Sequence, residues 1–113
     1  MSIAANRYAK ALLDVLYPDK AEDGLAQLRR FSSMFMQEPD ARRLLENPVL
    51  PSDRRKAILD GVGKALGLDP RVANFVSILA ERNRLALLDD VVDAFEKFSD
   101  DRQGIALAMV TAA

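Results

Sequence analysis

The chain is 113 residues long and half apolar, with 16 basic and 17 acidic side chains and no Cys, His or Trp. That length and apolar fraction suit one domain around a single core and exclude intrinsic disorder. A net charge of −1 supplies no broad basic field, and the missing Cys and His remove disulfide frameworks, thiol or imidazole catalysis and the commonest metal-ligand sets.

Breakers divide the sequence into six segments of helical periodicity. The first runs from about Ile3 to Tyr17 and is stopped by Pro18. The second, from about Asp19 to Met36, carries Ala21, Leu25, Leu28, Phe31 and Phe35 at helical spacing. Pro39 suits the first turn of a short third helix bearing Leu44 and Leu45, which ends at Asn47-Pro48 because Pro disfavours the α conformation in the residue before it. A fourth helix starts near Pro51-Ser52-Asp53 and ends at Gly67, with Ile58, Leu59, Val62, Ala65 and Leu66 as its stripe. Asp69-Pro70 opens a fifth as N-cap and first helical residue, and Asn83 closes it. The sixth, from about Leu87, aligns Leu88, Val91, Phe95 and Phe98 and is expected to stop at Gly104.

After Gly104 the pattern changes. Ile105, Leu107 and Met109 alternate with Ala106 and Ala108 before Val110-Thr111, which predicts an extended segment. A lone strand has no partner in an all-helical domain. The expected organisation is therefore all-α: a six-helix bundle over residues 1–104, then an extended linker over 105–113 leading to a second domain absent from this chain. The N-terminus has no basic stretch followed by an apolar run, and no apolar stretch approaches the ~20 residues that span a bilayer. No direct membrane insertion is expected.

Three motifs invite chemical readings. Gly61-Val62-Gly63-Lys64 resembles the end of a phosphate-binding loop, but Ile58 and Ala65 stand where that loop needs Gly and Ser or Thr, and no strand precedes it. Arg29-Arg30, Arg42-Arg43 and Arg54-Arg55-Lys56 fall on three separate segments with acids nearby, and read as solvated helix faces. Asp89-Asp90 and Asp100-Asp101 are adjacent in sequence and so diverge on a helix; helix-terminus electrostatics suits Asp89-Asp90. No catalytic, cofactor-binding or metal-ligating residue is expected.

The first helix carries more apolar surface than one core contact needs. Ala4, Tyr8, Ala11 and Val15 fall within about 40° either side of Ala4, while Ala5, Ala9, Leu12, Leu16 and Leu13 spread from about 80° to 180°. On the fifth helix Val72, Phe75, Val76 and Leu79 make a core stripe, and Ile78 lies opposite among Arg71, Asn74, Glu81 and Arg82. Two arrangements satisfy this pattern: a groove between the first and fifth helices that accepts a partner helix, or a first helix wrapped by its own domain.

Arg7-Tyr8-Ala9-Lys10-Ala11-Leu12 resembles the opening R-Y-A-K-A-L signature of the δ subunit of F-type ATP synthase, the oligomycin-sensitivity-conferring protein of mitochondria. Leu44-Leu45-Glu46-Asn47-Pro48, the stretch from Asn74 to Leu85 with Leu79-Ala80-Glu81-Arg82-Asn83-Arg84-Leu85 inside it, and Gly104 to Ala113 resemble further segments of that family, in order and at matching spacing. Arg82-Asn83 replaces the usual Asn-Gly, and Ala106–Ala108 lacks a basic residue often found there.

The resemblance implies a non-catalytic stator subunit of a proton-driven ATP synthase, peripheral on the cytoplasmic side of the bacterial inner membrane. It implies that the first and fifth helices bind the N-terminal helix of an α subunit, and that the absent domain joins the b subunits of the peripheral stalk. Tyr8, Ala11 and Ile78 are the best-matched groove positions; Ala4, Val15, Asn74 and Arg82 join them on geometry. The alternative function is a helical RNA-binding domain of the transcription-antitermination type, using the arginine clusters.

Overall fold

The computed structural model describes the backbone of residues 2–112 and the side chains of residues 2–105. Its regular secondary structure among those residues is all helical, with six α-helices and a short 3₁₀ turn. Helix α1 spans Ile3–Leu16. The Ser2 side-chain oxygen accepts the Ala5 N–H at 3.2 Å and so caps it. Tyr17 is already extended, as a residue before Pro must be. Helices α2 (Ala21–Gln37) and α3 (Pro39–Glu46) follow, the second with Pro at its first turn. Helix α4 (Ser52–Leu66) ends on Gly67 at φ 68°, the left-handed position that a Cβ would strain. Helix α5 (Pro70–Glu81) is capped by Asp69, whose carboxylate accepts the Arg71 N–H at 2.9 Å. Asn83, at φ 55°, turns the chain into the 3₁₀ turn Leu85–Leu87, from which α6 (Leu88–Ala112) departs.

The core lies where α1, α2, α5 and α6 meet. Leu12, Leu13 and Leu16 of α1 pack with Leu28 and Phe31 of α2, Val72, Val76 and Leu79 of α5, and Leu88, Val91 and Phe95 of α6, all buried. Each such side chain contributes about 1.5–3 kcal/mol by leaving water. The α1–α6 contact is the most extensive in the molecule. These two helices run in the same direction: Lys10 Nζ stands 5.0 Å from the Phe98 ring centroid, and four residues further along both helices Asp14 pairs with Arg102.

Two expectations differ from the structure. Helix α6 does not stop at Gly104; it continues to Ala112, so residues 105–112 are helical rather than extended, and Ala113 lies outside the described residues. A single Gly costs a helix only about 1 kcal/mol relative to Ala, and Ile, Leu, Met and Ala all sustain a helix. The Ala residues at 106 and 108 fit either periodicity, so the apparent alternation carries little information. The second difference is Arg55, expected on a solvated face but buried. Its guanidinium donates to the carbonyls of Leu45 (3.3 Å), Asn47 (2.9 Å) and Leu50 (3.0 Å), which closes the C-terminal end of α3 and the loop after it.

No helix among the described residues is long and apolar enough to cross a membrane, and no acidic cluster there could hold a metal ion.

Candidate functional site

The pattern of α1 resolves into two faces. Ala5, Ala9, Leu12, Leu13 and Leu16 are buried in the core. Ala4 and Tyr8 are half-buried, Ala11 is exposed, and Val15 is 54% exposed. The domain therefore does not wrap α1 completely; its second apolar face looks outward among the described residues. Across from it on α5, Ile78 is 38% exposed while its neighbours Val76 and Leu79 are buried.

Two depressions run between α1 and α5, and a third adjoins them between α5 and α4. One, of about 230 Å³, has an apolar wall of Ala11, Leu12, Val15, Phe75 and Ile78, with Arg71 and Asn74 at its margin. A second, of about 240 Å³, is formed by Ala4, Tyr8 and Ala11 with Arg7, Arg82 and Arg84. The third, of about 410 Å³, opens beyond Asn74, Ile78 and Arg82 towards Lys56 and Glu81. Ala11 belongs to the first two, Arg82 to the last two, and Asn74 and Ile78 to the first and third. All seven residues singled out from the sequence, Ala4, Tyr8, Ala11, Val15, Asn74, Ile78 and Arg82, thus line one continuous surface.

Tyr8 organises one end of it. Its ring meets Phe75 edge to face, with centroids 6.2 Å apart and planes at 75°. Arg82 and Arg84 both donate to the Tyr8 hydroxyl, at 3.2 and 3.1 Å, and their guanidinium carbons stand 5.9 and 5.7 Å from the ring centroid. The hydrogen bond from Arg82 foremost, with the positive charge of both arginines, holds the Tyr8 phenol below the usual tyrosine pKa. At the other end Arg71 pairs with Asp69 (3.0 Å) and reaches the Val15 carbonyl at 3.4 Å, tying the start of α5 to the end of α1. Glu81 accepts the Ser52 hydroxyl at 2.5 and 2.7 Å, which ties α4 to α5.

Sequence reasoning missed Arg84 and Arg7 as parts of the site, and named Arg71 only as a polar neighbour of Ile78. Arg84 lies beyond the end of α5, where the left-handed Asn83 redirects the chain, so no helical wheel carries it to Tyr8. Its only signal was its place in the family-like segment from Leu79 to Leu85. A separate depression of about 250 Å³ lies where α2, α3 and the 3₁₀ turn meet. Part of its polar wall is paired within the domain, since the Ser32 hydroxyl donates to Asp89 at 2.8 Å. The arrangement between α1 and α5 offers an apolar floor and a basic margin, and no nucleophile–base pair.

Comparison with known proteins agrees with this architecture. The family model described as ATP synthase delta (OSCP) subunit matches residues 4–113. The chain is similar to the ATP synthase subunit delta of Anaeromyxobacter sp. (strain Fw109-5), at 35% identity over 114 residues, covering 100% of this chain and 64% of that protein. The subunit delta of Desulfatibacillum aliphaticivorans is 34% identical over 110 residues (96% of this chain, 60% of the relative), and that of Methylobacterium radiotolerans 32% over 110 residues (96% and 58%). The chain thus spans about three fifths of the length of these relatives. With the match running from residue 4 to residue 113, the chain belongs to the ATP synthase delta (OSCP) subunit family.

Proposed function

We propose that the chain is the helical part of a non-catalytic stator subunit, which links the catalytic head of an F-type ATP synthase to its peripheral stalk and so supports proton-driven ATP synthesis. In this reading the groove between α1 and α5 holds the N-terminal helix of an α subunit. A C-terminal domain beyond this chain would join the b subunits, and the assembly would be peripheral on the cytoplasmic face of the bacterial inner membrane. The observation that carries the reading is the uncovered second face of α1, with Val15 54% exposed opposite Ile78.

An apolar groove suits a helix that must be held without chemistry. At about 25 cal/mol per Å², several hundred Å² buried there supply several kcal/mol before association entropy is subtracted. Ala11 lets a partner backbone approach closely, and Tyr8 offers a large anchor at the margin. The arginine clusters give the RNA-binding reading little support: Arg29 pairs with Glu96, Arg43 with Asp40, and Arg55 is buried on backbone carbonyls.

The test is calorimetric titration with a peptide of the α-subunit N-terminus from the same organism, against the wild-type chain and Ala11→Asp. Wild type is expected to bind and Ala11→Asp to lose binding while keeping its helix content and melting temperature. Equal binding by both proteins, or none by wild type, would sink the assignment.

A further inference from the structure

We propose that the Tyr8 end of the groove is a carboxylate site, and that the helix it accepts is acidic on one flank, placing an Asp or Glu side chain between Arg82 and Arg84. The proposal rests on the groove reading above and specifies the chemistry of its occupant.

Two guanidinium groups converge on one phenol oxygen, at 3.2 and 3.1 Å. Each spends one N–H on Tyr8 and keeps others in its planar fork. Like charges brought together in this way repel one another unless an anion stands between them. Among the described residues none does. The ion pairs there are Arg29–Glu96, Arg43–Asp40, Arg71–Asp69 and Arg102–Asp14. Glu81, the acid nearest in sequence, is taken by the Ser52 hydroxyl. The depression around Tyr8 holds three arginines and no acid.

Charge and shape together select the ligand. The basic depression is continuous through Ala11 with the apolar one at Val15 and Ile78. An isolated anion would use only the first, and a neutral apolar helix only the second. An amphipathic helix with a carboxylate on its flank uses both, since a guanidinium fork matches a carboxylate with two parallel hydrogen bonds. A helix lying along α1 would carry that carboxylate about two turns, roughly seven residues, from the apolar side chain over Val15.

The experiment uses the 113-residue chain and the α-subunit N-terminal peptide, natural and with its Asp and Glu residues replaced by Asn and Gln. The chain has two Tyr and no Trp. Tyr17→Phe therefore makes Tyr8 the sole tyrosine reporter, and its fluorescence is expected to change on docking. The double variant Arg82→Gln/Arg84→Gln should bind the natural peptide about tenfold more weakly than the parent and the amide peptide equally well. Raising salt from 50 to 300 mM should weaken the parent complex about threefold and the double variant hardly at all.

An unchanged affinity in the double variant, or equal losses for both peptides, overturns the carboxylate site. If Ala11→Asp still loses binding in that case, the groove reading survives. Normal binding by Ala11→Asp, or none by the parent, removes both. Tight binding of a single-stranded RNA 12-mer that the double variant loses, with peptide affinity unmoved, would make the site a phosphate site and overturn the proposal.

Discussion

The Gln27 side-chain oxygen on α2 accepts the backbone N–H of Asp69, the N-cap of α5, at 2.6 Å. A buried amide thus fixes where α5 begins, and with it the position of Asn74 and Ile78 opposite α1.

Gln27→Leu removes the acceptor and leaves that N–H without a partner. It should lower stability by about 1–3 kcal/mol in urea denaturation. A change within about 0.5 kcal/mol would mean that water replaces the amide and that the contact does not position α5.

Two glycines should respond to Ala with opposite signs. A Cβ on Gly61 of α4 meets nothing within 4 Å, so Gly61→Ala should stabilise by about 0.5–1 kcal/mol through helix propensity alone. A Cβ on Gly24 of α2 collides with Cδ1 of buried Leu16, beside Phe95. Overpacking of about 1–3 kcal/mol then outweighs the propensity gain, and Gly24→Ala should lower the urea midpoint. Midpoints shifted in the same direction would contradict the packing at α1 and α2.

Arg55→Gln gives up a charged fork that satisfies three carbonyls. A loss of about 2–4 kcal/mol is expected, with Arg55→Lys no better than a partial rescue because an ammonium lacks the planar spread. Hydrogen exchange of the amides from Leu45 to Leu50 should quicken in both variants.

Asp69 gives a pH signature. The Arg71 side chain foremost, with the Arg71 N–H, lowers the Asp69 pKa from 3.8 to about 2. A depressed folded-state value means the carboxylate stabilises the fold fully above pH ~4 and loses that contribution as pH falls through ~2. Asn also caps helices, so Asp69→Asn isolates the charge. The melting-temperature gap between the two proteins should be constant above pH 5 and narrow from pH 4 towards pH 2. A gap independent of pH over that range would refute the coupling.

Most helix limits were legible because each carries a local physical cause. Pro18, Gly67 and Asp69-Pro70 act on their own backbone whatever the rest of the chain does. The outward face of α1 was legible as an excess of apolar arc, but not whether the domain covered it; that depends on where α5 stands, which the Gln27–Asp69 hydrogen bond helps to set. Gly104 misled because its small helix penalty is easily overridden. Arg55 misled because a charged cluster on a helix reads as solvated until the carbonyls that accept from it are known. Leu44, placed beside Leu45 in the same short segment, is 43% exposed while Leu45 is buried.

The parallel course of α1 and α6, marked by Lys10 on Phe98 and Asp14 on Arg102, has a mechanical consequence. Tension drawn along α6 towards its C-terminal end loads its joint with α1 in shear rather than in peel. The contacts of Lys10 with Phe98 and of Asp14 with Arg102 must then slip together, so the load is shared along the row instead of falling on one contact after another. A joint loaded that way is stiff along its length.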